Sequence, residues 1–254
     1  MGFLFALLFG LAVGSFLNVC IYRIPLKKSI IHPPSSCPQC GERIRFYDNI
    51  PLLSYAVLLG KCRYCRNPIP IHYPLVEAMT GLLSVALFIR FHLSPEYFLF
   101  FLFSTALVVI AFIDLHHKII PDILSIPILI IGFAATFSKF GLIHWTESLI
   151  GIIGGGGFFY VVATVFEKIR GRQGMGGGDV KMLAMIGAWV GWRALPLIIL
   201  ISSFAGILIG GGSLLVTRRG MRTRIPYGPF LALGALVWLF FNHDLLWWLH
   251  GLGR

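Results

Sequence analysis

Charge is scarce in this chain, and acidic charge scarcest. Asp, Glu, Lys and Arg make up only 12% of the 254 residues, and ten of these are acidic against 21 basic. A chain that is 57% hydrophobic with a mean hydropathy of +0.85 has too little polar surface to cover a soluble globule of this size, so the composition points to an integral membrane protein. Two further absences narrow the reading. No glycine-rich nucleotide fingerprint follows a predicted strand, which argues against an ordinary Rossmann domain. The first apolar run has neither a basic region ahead of it nor a small-residue cleavage site, so it reads as a retained helix rather than a signal peptide.

Long apolar runs are what the chain does have. They lie at about 2–22, 75–92, 97–114, 122–140, 147–167, 179–195, 196–217 and 227–250, each compared with a hydrocarbon core of about 30 Å. The expected fold is therefore an all-α polytopic membrane protein of about eight transmembrane helices. Three parts are expected: residues 1–22 as the first helix, 23–74 as a cysteine-bearing cytoplasmic domain, and 75–254 as a seven-helix membrane domain. Eight spans put alternate connections on opposite sides. The odd connections, together with Lys181 just beyond the third, carry 17 of the 21 Lys and Arg residues, leaving Arg90, Lys139, Arg193 and Arg254 for the other side. By the positive-inside rule the odd connections face the cytoplasm and both termini face out. Basic margins beside anionic lipid account for the net charge of +11, so the bilayer is the expected partner and no nucleic acid is implied.

Against this background two aspartates stand out. Asp114 ends one apolar run, and Asp179 closes the tract Gly174-Met175-Gly176-Gly177-Gly178 ahead of another. Acidic groups at the margins of spanning segments are costly and mark functional sites. They are 65 positions apart, yet the eight-span topology brings both to the cytoplasmic edge. Two carboxylates facing one water share a proton; one activates the water while the other polarises a carbonyl, which is amide hydrolysis without a covalent intermediate. Taken singly, Asp179 also reads as a helix cap and Asp114 as a residue just beyond the membrane. Gly176, Gly177 and Gly178, with Lys181 beyond, are expected to form an active-site loop that lets an extended peptide lie beside the carboxylate. Asp122, after Pro121, is expected to cap its helix. Glu77, soon after Pro74, sits where a helix N-terminus welcomes a carboxylate.

The connection 23–74 carries Cys37-Pro38-Gln39-Cys40 and Cys62-Arg63-Tyr64-Cys65. Two C-x2-C pairs with 21 residues between them suit a four-thiolate structural zinc site. A cytoplasmic location favours metal over disulfides. Cys20 falls outside the pairs and is expected to be a small packing residue.

These residues also resemble the type IV prepilin peptidases. The resemblance rests on Gly14-Ser15-Phe16-Leu17-Asn18-Val19 with Tyr22-Arg23, the paired C-x2-C motifs, Asp48-Asn49-Ile50-Pro51 and Tyr73-Pro74-Leu75-Val76-Glu77. It continues through Asp114 with Ile120-Pro121-Asp122, Gly176-Gly177-Gly178-Asp179-Val180-Lys181, and Pro226-Tyr227-Gly228-Pro229. The resemblance implies that Asp114 and Asp179 are catalytic, the second within a G-x-G-D motif. It implies cleavage of the basic leader of type IV prepilins and pseudopilins at the cytoplasmic face of the bacterial inner membrane. It further implies N-methylation of the new amino terminus with S-adenosylmethionine, whose site the sequence does not place. Glu77, Asp48 and Arg23 are candidate contacts for substrate or methyl donor, and Glu42 is a further acidic contact for a basic leader. Two other functions compete: a peptidase whose zinc loop is only a scaffold, and an ion-coupled transporter. Transporter carboxylates usually lie near the membrane midplane, whereas these lie at segment ends.

Overall fold

Each apolar run corresponds to a helix in the computed structural model, which describes residues 1–141, 143–171, 176–211 and 226–251. The long helices are α1 (Gly2–Arg23), α3 (His72–Phe91), α4 (Pro95–His117), α5 (Asp122–Ala135), α6 (Trp145–Arg170), α7 (Gly177–Val190), α8 (Leu195–Ala205) and α9 (Gly228–Gly251). Between α1 and α3 lie a 3-10 turn, Phe46–Asn49, and the short α2 (Leu53–Val57). A π-helical segment, Gly206–Gly211, continues α8, and α9 is kinked at Phe241. Residues 218–225 of the predicted basic connection lie outside the described residues.

Among the described residues, five helical stretches are long and apolar enough to cross a membrane: Gly2–Arg23, His72–Phe91, Pro95–His117, Trp145–Ile169 and Trp192–Ile209. The chain is a multi-pass membrane protein. Two helices are shorter than the apolar runs that contain them. α5 ends at Ala135 because Thr136 and Ser138 turn their hydroxyls onto the carbonyls of Phe133 and Ala135, competing with the helical ladder. α7 ends at Gly191, whose φ of +78° suits glycine alone. At 14 residues each, α5 and α7 rise about 21 Å.

The chain divides into two units, Met1–Val109 and Ile110–Arg254. In the first, α1 lies along α3 through small residues. A methyl group added at Gly14 would sit 2.8 Å from Glu77 Cα, and one at Gly10 would sit 2.8 Å from the Thr80 carbonyl oxygen. Backbones approach this closely only where side chains are missing, the usual device of helix packing in lipid.

In the second unit α7 is the central helix. Every residue from Met182 to Val190 is buried, as expected of a helix that is apolar all round. α6 meets it where Gly151 and Gly187 face each other's carbonyls, and Ser148 donates to the Ala188 carbonyl at 2.7 Å. From the α5 side, the Trp189 indole N–H donates to the Ile128 carbonyl at 2.8 Å, its ring lying over Gly132. Ser202 of α8 donates to the Phe230 carbonyl of α9 at 2.9 Å. The outward residues of these helices, among them Ile130, Ile153, Val161 and Leu200, are apolar and exposed. That is the surface a lipid-facing helix requires.

Candidate active site and metal centre

Asp114 lies in the last turn of α4 and is 5% exposed. Its Oδ2 accepts the backbone N–H of Gly228 at 2.9 Å, the first residue of α9. Asp179 is the third residue of α7 and half-buried. Its backbone N–H donates to the carbonyl of Gly176 at 3.1 Å, the residue that precedes the helix and serves as its N-cap. The two carboxylates are close enough for their charges to interact. Among the described residues neither belongs to an ion pair. Tyr227 completes the group: its phenol lies 3.2 Å from the Ser203 hydroxyl and feels the charge of Asp179.

Gly176, Gly177 and Gly178 do not form a loop. Gly176 is the N-cap of α7, while Gly177, Gly178 and Lys181 are its first turns; Gly174 and Met175 lie outside the described residues. The first turn is closed by the Asp179 N–H on the Gly176 carbonyl, and glycine is tolerated where the following apolar turns are packed on all sides. Gly178 abuts Ile120: a methyl group there would come within 2.9 Å of the Ile120 Cβ. Among the described residues nothing lies within 4 Å of a methyl group built at Gly177.

Asp122 departs from its expected capping role. Pro121 is the N-cap of α5 and no side chain caps that helix. Instead both Asp122 oxygens accept from Lys181 Nζ, at 2.7 and 2.8 Å, joining the starts of α5 and α7. Sequence reasoning also assigned no role to Tyr227 and Gly228. The signal available was Pro226-Tyr227-Gly228-Pro229, a glycine held between prolines at a helix start.

In the first unit the sulfurs of Cys37, Cys40, Cys62 and Cys65 all lie within 4.8 Å of one another, and Cys37 and Cys65 are 3.9 Å apart. Tetrahedral zinc with bonds of about 2.3 Å needs sulfurs roughly 3.8 Å apart, so the four thiols fit that ion. Each C-x2-C pair sits on the same turn. The N–H of Cys37 donates to the Glu42 carbonyl and that of Cys62 to the Asn67 carbonyl, both at 2.9 Å. The bridges Ser36 to Arg43 and Lys61 to Pro68 close the two turns. The residue after the second cysteine has positive φ in both: Gly41 at +73° and Arg66 at +58°. A backbone N–H from Cys65 draws the Cys62 thiol down to about 7. At Cys40 the Glu42 backbone favours the thiolate, but burial and hydrogen bonds with the three neighbouring thiols push it up to about 11. Cys20 is buried in α1, away from the four.

Asp48, Arg23 and Glu77 line one cavity of about 530 Å³ in this unit, together with Asn18, Tyr22 and Tyr73. Asp48 accepts from Arg63, Nε to Oδ2 at 2.8 Å, and this pairing holds its carboxyl below the ordinary range. Arg23 donates to the carbonyls of Ser29 and Pro33 at 2.9 and 2.7 Å. Glu77 is 9% exposed, and its Oε2 accepts the Leu52 N–H at 2.9 Å.

Comparison with known proteins follows the same division. Residues 8–91 match the bacterial peptidase A24 N-terminal domain, and residues 101–211 match the type IV leader peptidase family. A prepilin leader peptidase/N-methyltransferase of Pseudomonas aeruginosa is 38% identical, the alignment covering 91% of this chain and 89% of that protein. Proteins of the same name from Burkholderia pseudomallei and Aeromonas hydrophila are each 36% identical. Those alignments cover 94% and 95% of this chain, and 85% and 91% of the relatives. No solved structure matches the chain significantly. With both family regions matched in order and relatives aligned almost end to end, the chain belongs to the type IV leader peptidase family.

Proposed function

We propose that this membrane enzyme cleaves the leader from type IV prepilins and pseudopilins through Asp114 and Asp179, and then N-methylates the exposed amino terminus. The observation that carries the peptidase reading is the pair of interacting carboxylates, Asp114 held by the Gly228 N–H and neither in an ion pair among the described residues. The Gly228 N–H occupies Oδ2 of Asp114 and leaves Oδ1 to face water or the scissile carbonyl. One carboxylate takes a proton from the attacking water, the other hydrogen-bonds the carbonyl oxygen, and the shared proton passes to the leaving amine. The space beside Gly177 admits the extended peptide.

Cys37, Cys40, Cys62 and Cys65 hold a structural zinc that ties together a segment with few buried apolar residues. S-adenosylmethionine supplies the methyl group. Helices α1 and α3 to α9 make eight crossings of the bacterial inner membrane, the shorter ones where the protein thins its surroundings. Both termini lie outside, and the aspartates lie at the cytoplasmic margin. Residues 23–74 form the zinc domain and 75–254 the peptidase domain.

The test is to incubate purified protein with a prepilin and S-adenosylmethionine labelled in its methyl group. A shortened, labelled product supports the whole reading. Shortening without label leaves a peptidase with a zinc scaffold, and neither overturns the enzyme.

A further inference from the structure

We infer that the cavity in the first unit binds the methyl donor, with Glu77 as the counter-charge to its sulfonium. This rests on the methyltransferase reading above and assigns that activity a place. At about 530 Å³ the cavity has the size of a small-molecule site. Its wall holds a carboxylate without a cation. Asp48 is matched by Arg63, but among the described residues Glu77 forms no ion pair. Burying an ionised carboxylate without a cationic partner is costly, and a cationic ligand removes that cost. A second polar group is left over: Asn18, 4% exposed, spends its amide N–H on the Tyr73 carbonyl at 3.0 Å, while its Oδ1 has no partner among the described residues. Tyr22 and Tyr73 also line the cavity and supply aromatic surface of the kind that attracts onium groups.

The backbone that Glu77 grips is itself unusual. Leu52 has φ +60° and ψ −45°, and the Leu53 N–H donates to the Pro51 carbonyl at 2.6 Å. This is a γ-turn of the rare positive-φ form. Such conformations persist where surrounding contacts impose them, and they concentrate at ligand clamps. Here the imposing contact is the Glu77 carboxylate, which is therefore held in one orientation at the cavity wall.

An organic cation can come from two sources in this reaction, the donor's sulfonium or the ammonium of the cleaved pilin. The cavity is assigned to the donor because it is roomy enough for a nucleoside and carries polar groups besides the carboxylate.

The experiment uses the full-length, zinc-loaded protein in detergent and measures binding by calorimetry. The probes are S-adenosylmethionine, sinefungin (an amine in place of the sulfonium) and neutral S-adenosylhomocysteine. Glu77→Gln keeps an acceptor for Leu52 and removes the charge. It is expected to weaken the two cationic probes by about tenfold or more and the neutral one by less than about threefold. Equal loss for all three, or no loss, overturns the role of Glu77. Because the variant can fail by misfolding, its zinc content is measured alongside, and the wild type is photo-crosslinked to labelled donor. Label within residues 15–77 supports the site; label beyond residue 110 overturns it. If a cut pilin peptide with a free amine binds in a Glu77-dependent way and the donor analogues do not, the cation is the acceptor's and the assignment is wrong. If wild type neither binds donor nor methylates a cut peptide, the methyltransferase reading fails as well, a different result from an unaffected Glu77→Gln.

Discussion

Gly228 donates its backbone N–H to Oδ2 of Asp114 at 2.9 Å, across 114 positions of sequence. Glycine is required there for space and not for backbone freedom. A methyl group at Gly228 would stand 2.8 Å from the same Oδ2 and 3.3 Å from the Asp114 Cβ. The contact therefore sets the carboxylate's position from a different helix.

Gly228→Ala is accordingly expected to displace the Asp114 carboxylate while leaving α9 formed. A displacement approaching 1 Å costs on the order of 10²-fold in rate. Cleavage of a prepilin should fall by about that much with little change in thermal stability. Wild-type activity would show that Asp114 does not depend on this neighbour.

Asp114→Asn and Asp179→Asn should each abolish cleavage, by about 10⁴-fold or more, in a protein that still folds, since asparagine keeps the size and, at position 114, can accept the same N–H. Asp122→Asn should behave differently. Its ion pair with Lys181 is exposed, the two side chains being 54% and 47% accessible, and such pairs contribute about 1 kcal/mol or less. Activity within about tenfold of wild type is expected. An active Asp179→Asn enzyme removes the carboxylate mechanism.

The purified protein should carry about one zinc, the count for a single four-thiolate site, and Cys40→Ser with Cys65→Ser should lose it and open residues 23–74 to protease. Zinc binds thiolates, so every proton the sulfurs retain competes with it. The Cys65 N–H favours the thiolate at Cys62 and draws its titration to about 7. Affinity should decline on the acid side of neutrality and increase toward alkaline pH. Zinc retention against a competing chelator, titrated from about pH 8 to about pH 5, measures this. Metal held more tightly in acid would exclude thiolate ligation.

The two cysteine turns carry different residues at their matched positive-φ position. Gly41 has φ +73° and Arg66 +58°, a region that costs an ordinary residue about 1 kcal/mol. Arg66→Gly should relieve that strain and lengthen the half-life of the zinc site, whereas Gly41→Ala should shorten it. Chelator-driven zinc release distinguishes the two; equal effects in both would mean the turns are not equivalent.

What the sequence by itself determined is whatever depends on neighbours along the chain. Apolar runs become helices, because in lipid a segment must satisfy its own backbone. The two C-x2-C spacings were legible as a four-thiol cluster because each pair is built by one short turn. Asp114 and Asp179 were legible as exceptions to an apolar background. The stops of α5 at Ala135 and α7 at Val190 are local to the chain, set by hydroxyl bonds and a positive φ at Gly191 that hydropathy does not register. Tertiary structure decided the rest. Asp122 meets Lys181, 59 positions away, although its place at a helix start suggested a cap. Gly228 meets Asp114, and Glu77 meets Leu52, only because helix packing brings backbone N–H groups to particular carboxylates. A backbone amide is the same group in every residue, so no side-chain pattern announces which one will be the partner.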